Sequence, residues 1–127
     1  MKVVIDTNVI VSGIFWGGNA YKILDAYTDD KFSMVVSPSI LQEYTEVLLR
    51  LGSKKEKKLV AQWIALFVDD TEIVDPQNPI RLCRDPKDNK FLECLMDGEC
   101  NYLITGDNDL LVLKDYFPDQ IITPVSF

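Results

Sequence analysis

Histidine is missing from all 127 residues, which excludes an imidazole general base and every histidine-ligated metal site. Cysteine is scarce. Cys83, Cys94 and Cys100 are odd in number and lack any C-x-x-C spacing, so neither a disulfide framework nor a zinc site is indicated, and a reducing cytoplasm is expected. No run approaches the ~20 apolar residues of a membrane span, and Asp6 interrupts the N-terminal apolar stretch too early for a signal peptide. No membrane partner is therefore expected. Positive charge is in the minority, with 13 Lys and Arg against 20 Asp and Glu and a net charge of -7. That balance weighs against nucleic acid, although two bound divalent ions would offset about four of the charges. Internal repeats and low-complexity segments are also missing.

What is present describes a folded domain. An apolar fraction of 47% and a charged fraction of 26% suit a globular protein, and residues 1–127 are read as one domain. Strand-like runs fall at Lys2 to Ile5, Phe32 to Val36, Glu72 to Val74, Tyr102 to Thr105 and Gln120 to Thr123. Helical patterns lie between most of them, so the expected class is α/β, a parallel sheet covered by helices. Asn19 is read as the cap of a first helix to about Thr28, with Ala20, Ile23, Leu24 and Tyr27 on one stripe. Ser37 and Pro38 open a second helix that reaches about Leu51 and ends at Gly52. Ser53 and Glu56 form a capping box for a third, whose buried face is Leu59, Val60, Trp63 and Phe67. After a polar, proline-punctuated connection from Asp75 to Pro79, Asp85 and Pro86 start a helix carrying Phe91, Leu92, Leu95 and Met96, which stops at Gly98.

Four carboxylates sit at comparable junctions. In a parallel sheet, helix N-termini and strand C-termini share one edge, where open α/β sheets bind ligands. Asp6 ends the first strand, Asp107 follows the fourth, Glu43 lies in the second turn of its helix and Asp88 in the first turn of another, so all four reach that edge. Helical phase, at about 100° per residue, sets Asp88 in the middle of the Phe91, Leu92 and Leu95 stripe and prefers Glu43 over the more solvent-directed Glu46. Plainer roles compete. Asp88 can complete a cap, Glu43 can be a solvated surface acid, Asp6 a strand-end turn acid, Asp107-Asn108-Asp109 an Asx-rich turn and Asp85 a cap alone.

If the four converge, like charge raises their pKa values unless a cation joins them. Oxygen-only ligands suit Mg²⁺ or Mn²⁺, one ion or two, and metal-assisted hydrolysis of a phosphodiester is the chemistry such a set supports, with Glu43 or Asp107 positioning the water. Covalent acyl chemistry has no machinery in the chain. Lys54, Lys55, Lys57 and Lys58, near Arg50, form the densest basic cluster. A solvated helix face is the ordinary account, but cations at a helix N-terminus oppose the macrodipole, and contact with a phosphate backbone or an acidic protein would offset that cost. Trp16-Gly17-Gly18 reads as a flexible aromatic-tipped loop near Asp6, its tryptophan expected in the core rather than stacked on a base.

Val4-Ile-Asp-Thr-Asn-Val, Ser37-Pro-Ser-Ile-Leu-Gln-Glu, Arg84-Asp-Pro-Lys-Asp-Asn and Ile104-Thr-Gly-Asp-Asn-Asp-Leu-Leu, in that order, resemble the PIN domain, in particular its small prokaryotic branch of toxin-antitoxin toxins. The resemblance covers essentially the whole chain. It implies a three-layer α/β/α fold with a parallel sheet ordered 3-2-1-4-5 and a metal-dependent endoribonuclease acting on single-stranded RNA. By the resemblance, Asp6, Glu43, Asp88 and Asp107 match the acidic quartet, Asp109 is an auxiliary ligand, Asp85 a weaker one, and Thr7, Asn8 and Thr105 support the site by hydrogen bonds. A homodimer and a small antitoxin partner are implied by the same analogy. Two alternatives stand beside it. One is a non-catalytic interaction module that keeps the fold; the other is a haloacid-dehalogenase-type phosphatase, whose expected second aspartate is replaced here by Asn8.

Overall fold

The computed structural model describes residues 1–127. Its elements follow in the order β1 (Lys2–Ile5), α1 (Thr7–Phe15), α2 (Gly18–Thr28), β2 (Ser33–Val36), α3 (Pro38–Leu51), α4 (Lys57–Asp70), β3 (Glu72–Ile73), α5 (Asn89–Asp97), β4 (Tyr102–Ile104), α6 (Asn108–Leu111) and β5 (Ile121–Ile122). Single 3₁₀ turns at Lys54–Glu56 and Pro86–Asp88 lead into α4 and α5. All strand pairs are parallel and the sheet order is β3-β2-β1-β4-β5. Successive residues of β1 (Val3, Val4, Ile5) and of β2 (Met34, Val35, Val36) are buried, which requires cover on both sheet faces and makes a three-layer α/β/α fold. One cluster of 30 buried apolar residues fills both layers, so the core is continuous across the sheet.

α1 is the longest element that the sequence pattern does not announce. Thr7, Val9, Ile10, Val11 and Gly13 are all buried, so the helix has no broad polar face, and its β-branched residues read equally well as strand. It turns tightly into α2. A Cβ on Gly13 would stand 2.9 Å from the main-chain oxygen of Ala20 as well as 2.6 Å from Leu24 Cδ1, so glycine is what permits this approach of the two helices. Gly17 (φ 86°) and Gly18 (φ 69°) then reverse the chain in left-handed backbone. Gly17, rather than the expected Asn19, is the N-cap of α2, because the reversal needs a residue free of Cβ. Trp16 is not a core aromatic. It is 74% exposed, and nine residues of helix, about 13 Å, separate it from Asp6.

α3 and α4 form a hairpin whose capping signals behave as expected. The Ser37 hydroxyl accepts from Ile40 N at 3.2 Å, and the Glu56 carboxylate accepts from Ser53 N at 2.9 Å. Buried Val60 and Phe67 face the core and Trp63 packs at its margin, but Leu59 is exposed, one position out of phase with that stripe. Met96 is likewise exposed on α5. Tyr44 is fully buried beside Phe67, with ring centroids 5.6 Å apart, and its hydroxyl donates to the carbonyl of Ile5. α3 is thereby fastened to the end of β1.

Residues 77–83, between β3 and α5, have no ladder of their own. Side chains at i, i+4 and i+8 of α5 supply their partners instead. Asp97 accepts from Gln77 N (2.6 Å) and Asn78 N (3.0 Å), Glu93 from Ile80 N (3.0 Å), and Asn89 from Leu82 N (3.1 Å) and Cys83 N (2.9 Å). The connection runs along α5 towards its N-terminus, which delivers Arg84 and Asp85 to the carboxyl edge of the sheet.

Candidate active site

β1 and β4 are neighbours at the centre of the sheet, and the chain leaves them towards opposite sides, to β2 and to β5. Their carboxyl ends therefore border the crevice where open α/β sheets bind ligands. Asp6 closes β1 there. Its N–H donates to Ile104 O at 2.9 Å, its side chain is nearly buried, and its extended backbone caps α1. Thr105, fully buried, joins the two strand ends: its hydroxyl donates to Asp6 Oδ2 at 2.7 Å and accepts from Asp107 N at 3.0 Å. Asp107 is the N-cap of α6, with Oδ1 accepting from Asp109 N at 2.9 Å, so the Asx-rich segment opens a short helix rather than forming a plain turn.

Glu43 arrives from α3. One of its oxygens accepts the Thr7 hydroxyl, and the other meets Lys90 Nζ at 2.6 Å. Asp88 arrives from the turn before α5, half-buried, while Asp85 acts as the cap of that turn by accepting from Lys87 N at 3.0 Å. Asn8 is exposed and lines a groove with Ser12, Ala20, Gly106, Asp107 and Asn108. Asp109 lies at the margin, with Arg84 Nε 3.8 Å from its Oδ1.

Charge shows that the acids share one neighbourhood. Burial, then the charges of Asp107, Asp6, Asp85 and Glu43, push the Asp88 carboxyl from 3.8 up to about 6. Asp6 is also raised, by burial first and by Asp107 and Glu43 in part, against the pull of its bonds to Thr105 and the Asn8 backbone. Oxygen-only donors whose mutual repulsion a cation would relieve fit a hard divalent ion. The fit is by chemistry and neighbourhood, since no three of the carboxylates close on a common point.

The four lysines read as candidates for phosphate contact stand apart from the acids. Lys54, Lys55, Lys57 and Lys58 are exposed at the tip of the α3–α4 hairpin, and Glu43 to Leu51 alone spans about 12 Å of helix. The cations at the acidic edge are Lys90 and Arg84, neither of which the sequence density indicated. Lys90 is the second residue of α5, where a cation opposes the helix dipole, and that is the signal by which it could have been found.

The family model for the PIN domain matches residues 2–109 of this chain. The chain belongs to the PIN-domain family. Among curated proteins it is 34% identical over 119 residues to the uncharacterized protein MJ1680 of Methanocaldococcus jannaschii, covering 91% of this chain and 76% of that one. Among solved structures it is similar to VapBC2 from Rickettsia felis bound to a DNA fragment from its promoter, with a TM-score of 0.61, 16% identity and coverage of 96% and 97% of the two chains. That likeness is one of fold. The sheet order 3-2-1-4-5 expected of a PIN domain is the order observed.

Proposed function

We propose that this PIN domain is a metal-dependent endoribonuclease that hydrolyses phosphodiester bonds of single-stranded RNA, and that it serves as the toxin of a toxin-antitoxin pair. The observation that carries the reading is the gathering of acids at the β1–β4 crevice, where Thr105 ties the Asp6 carboxylate to the start of the Asp107 turn and where burial first, and neighbouring acids second, raise the Asp6 and Asp88 carboxyls. In it, Asp6, Asp88 and Asp107, with Asp109 auxiliary, hold one or two Mg²⁺ or Mn²⁺ ions. When bound, such ions supply Lewis-acid activation of water and neutralise charge on the phosphodiester. Thr105 ties the two strand ends together by donating to the Asp6 carboxylate and accepting from the Asp107 main-chain N–H. Glu43, steadied on both oxygens, orients the attacking water and takes its proton. Thr7 holds Glu43 from beneath the site, and Asn8 adds a polar group at its rim. A homodimer in the cytoplasm, partnered by a small antitoxin, follows from the toxin reading; VapBC2 shares the fold.

The test is cleavage of a labelled single-stranded RNA by purified protein, with added Mg²⁺ or Mn²⁺ and with chelator. Cleavage is expected only with metal, and Asp6→Asn or Asp107→Asn should reduce it by about a thousandfold or more. Undiminished cleavage by both variants would refute the assigned site. A second reading, a PIN-fold interaction module without catalysis, draws on the open spacing of the carboxylates; it requires that no metal binds at all. The PIN match leaves the phosphatase alternative without support.

A further inference from the structure

Glu43 differs from the aspartates around it because both of its oxygens already have side-chain partners. The Thr7 hydroxyl bonds one, and the Lys90 ammonium lies 2.6 Å from the other. This ion pair joins α3 to α5, and its two side chains are only 27% and 18% exposed, so solvent screens it weakly. Lys90 occupies the first turn of α5, where the helix itself disfavours a cation, and its ammonium lies 5.6 Å from the centroid of the Phe91 ring. A site that already carries a resident cation on one acid has reason to bind its divalent ion through the others.

We propose that Lys90 is a positioning residue: it pins Glu43 against Thr7 and keeps it out of the carboxylate set that takes the divalent cation, leaving Asp6, Asp88 and Asp107 as ligands. The proposal rests on the metal-dependent reading given above. An ammonium bonded to a carboxylate oxygen takes one of its two lone pairs, and its charge repels a second cation at that oxygen. Glu43 then remains unligated, with its plane fixed, as a group that orients water must be.

Calorimetric titration with Mn²⁺ of the wild type, Glu43→Gln, Lys90→Met, Lys90→Arg and the Glu43→Gln/Lys90→Met double variant tests this without reference to cleavage. Glu43→Gln is expected to bind within about twofold of wild type, Lys90→Met about tenfold more tightly, and the double variant to return towards wild type. Lys90→Arg, which keeps the charge, should resemble wild type. Glu43→Gln that abolishes binding makes Glu43 a ligand and overturns the proposal. So does tightening by Lys90→Met that persists in the Glu43→Gln background, which would be a general field effect. Lys90→Met that lowers the melting temperature and leaves Mn²⁺ affinity unchanged reduces the pair to a structural cross-link. If the wild type binds no Mn²⁺, the metal-dependent reading fails; a Lys90→Met variant that then gains binding supports the pinning, and one that does not overturns it as well. In cleavage, Lys90→Met should lower kcat about tenfold with KM unchanged, whereas a raised KM with unchanged kcat would assign Lys90 to the RNA backbone instead.

Discussion

The acidic edge of the sheet and the tip of the α3–α4 hairpin divide the positive charge of this protein in opposite ways. At the tip, Lys54, Lys55, Lys57 and Lys58 crowd within five residues of sequence and project into solvent. At the edge, Lys90 and Arg84 stand apart in sequence, yet each has a carboxylate partner, Glu43 at 2.6 Å and Asp109 at 3.8 Å respectively. Density along a chain is a measure of local composition, while function at a parallel sheet depends on which elements end together. The isolated cations are the ones that packing brings to the acidic edge.

The sharpest way to break this contrast is to detach the edge cations from their support. Asn89→Ala removes the acceptor for Leu82 N and Cys83 N, and it should destabilise the protein by about 2 kcal/mol in urea unfolding. Full retention of stability would mean that water replaces the side chain and that the connection is not held by α5. A gentler perturbation is pH. Because the Asp88 carboxyl is raised to about 6 in the folded protein from 3.8, the folded state binds more protons than the unfolded chain between those values. Stability in chelator should therefore fall as pH rises through that window, with Asp6 acting in the same direction, and Mn²⁺ should restore it above the window. Asp88→Asn should flatten the slope; an unchanged slope would place its origin elsewhere. The smallest effect is expected at the tip. Replacing all four tip lysines by Gln should leave the melting temperature within about 2 °C and kcat unaltered, with at most a severalfold, salt-dependent rise in KM for RNA. If kcat falls as far as in Lys90→Met, the two regions act as one surface and the contrast is wrong.

Much of this arrangement was legible in the residues. Strand runs bounded by polar junctions gave the sheet, and the caps at Ser37-Pro38 and Asp85-Pro86 fixed where α3 and the turn before α5 begin, hence which acids reach the edge. Helical phase chose Glu43, and the carboxylate it chose is the one that Thr7 meets. α1 escaped because a helix buried nearly all round has no amphipathic signature, and Val9, Ile10 and Val11 suit a strand equally well. Trp16 was misplaced for a related reason: with α1 unread, the residue seemed to follow the strand closely instead of lying a helix away. Lys90 escaped because its partner is 47 residues distant and only the packing of α3 on α5 brings them together.

The ladder of Asn89, Glu93 and Asp97 has one more consequence, for the lengths this family member can tolerate. Residues 77–83 look like the kind of loop in which insertions accumulate, but each rung holds a fixed main-chain position against a fixed step of the helix. An added residue would shift every rung beyond it by one place and withdraw Arg84 from Asp109. The segment is in effect a ruler graduated in helical turns, and variation in its length should be confined to the stretch before Gln77.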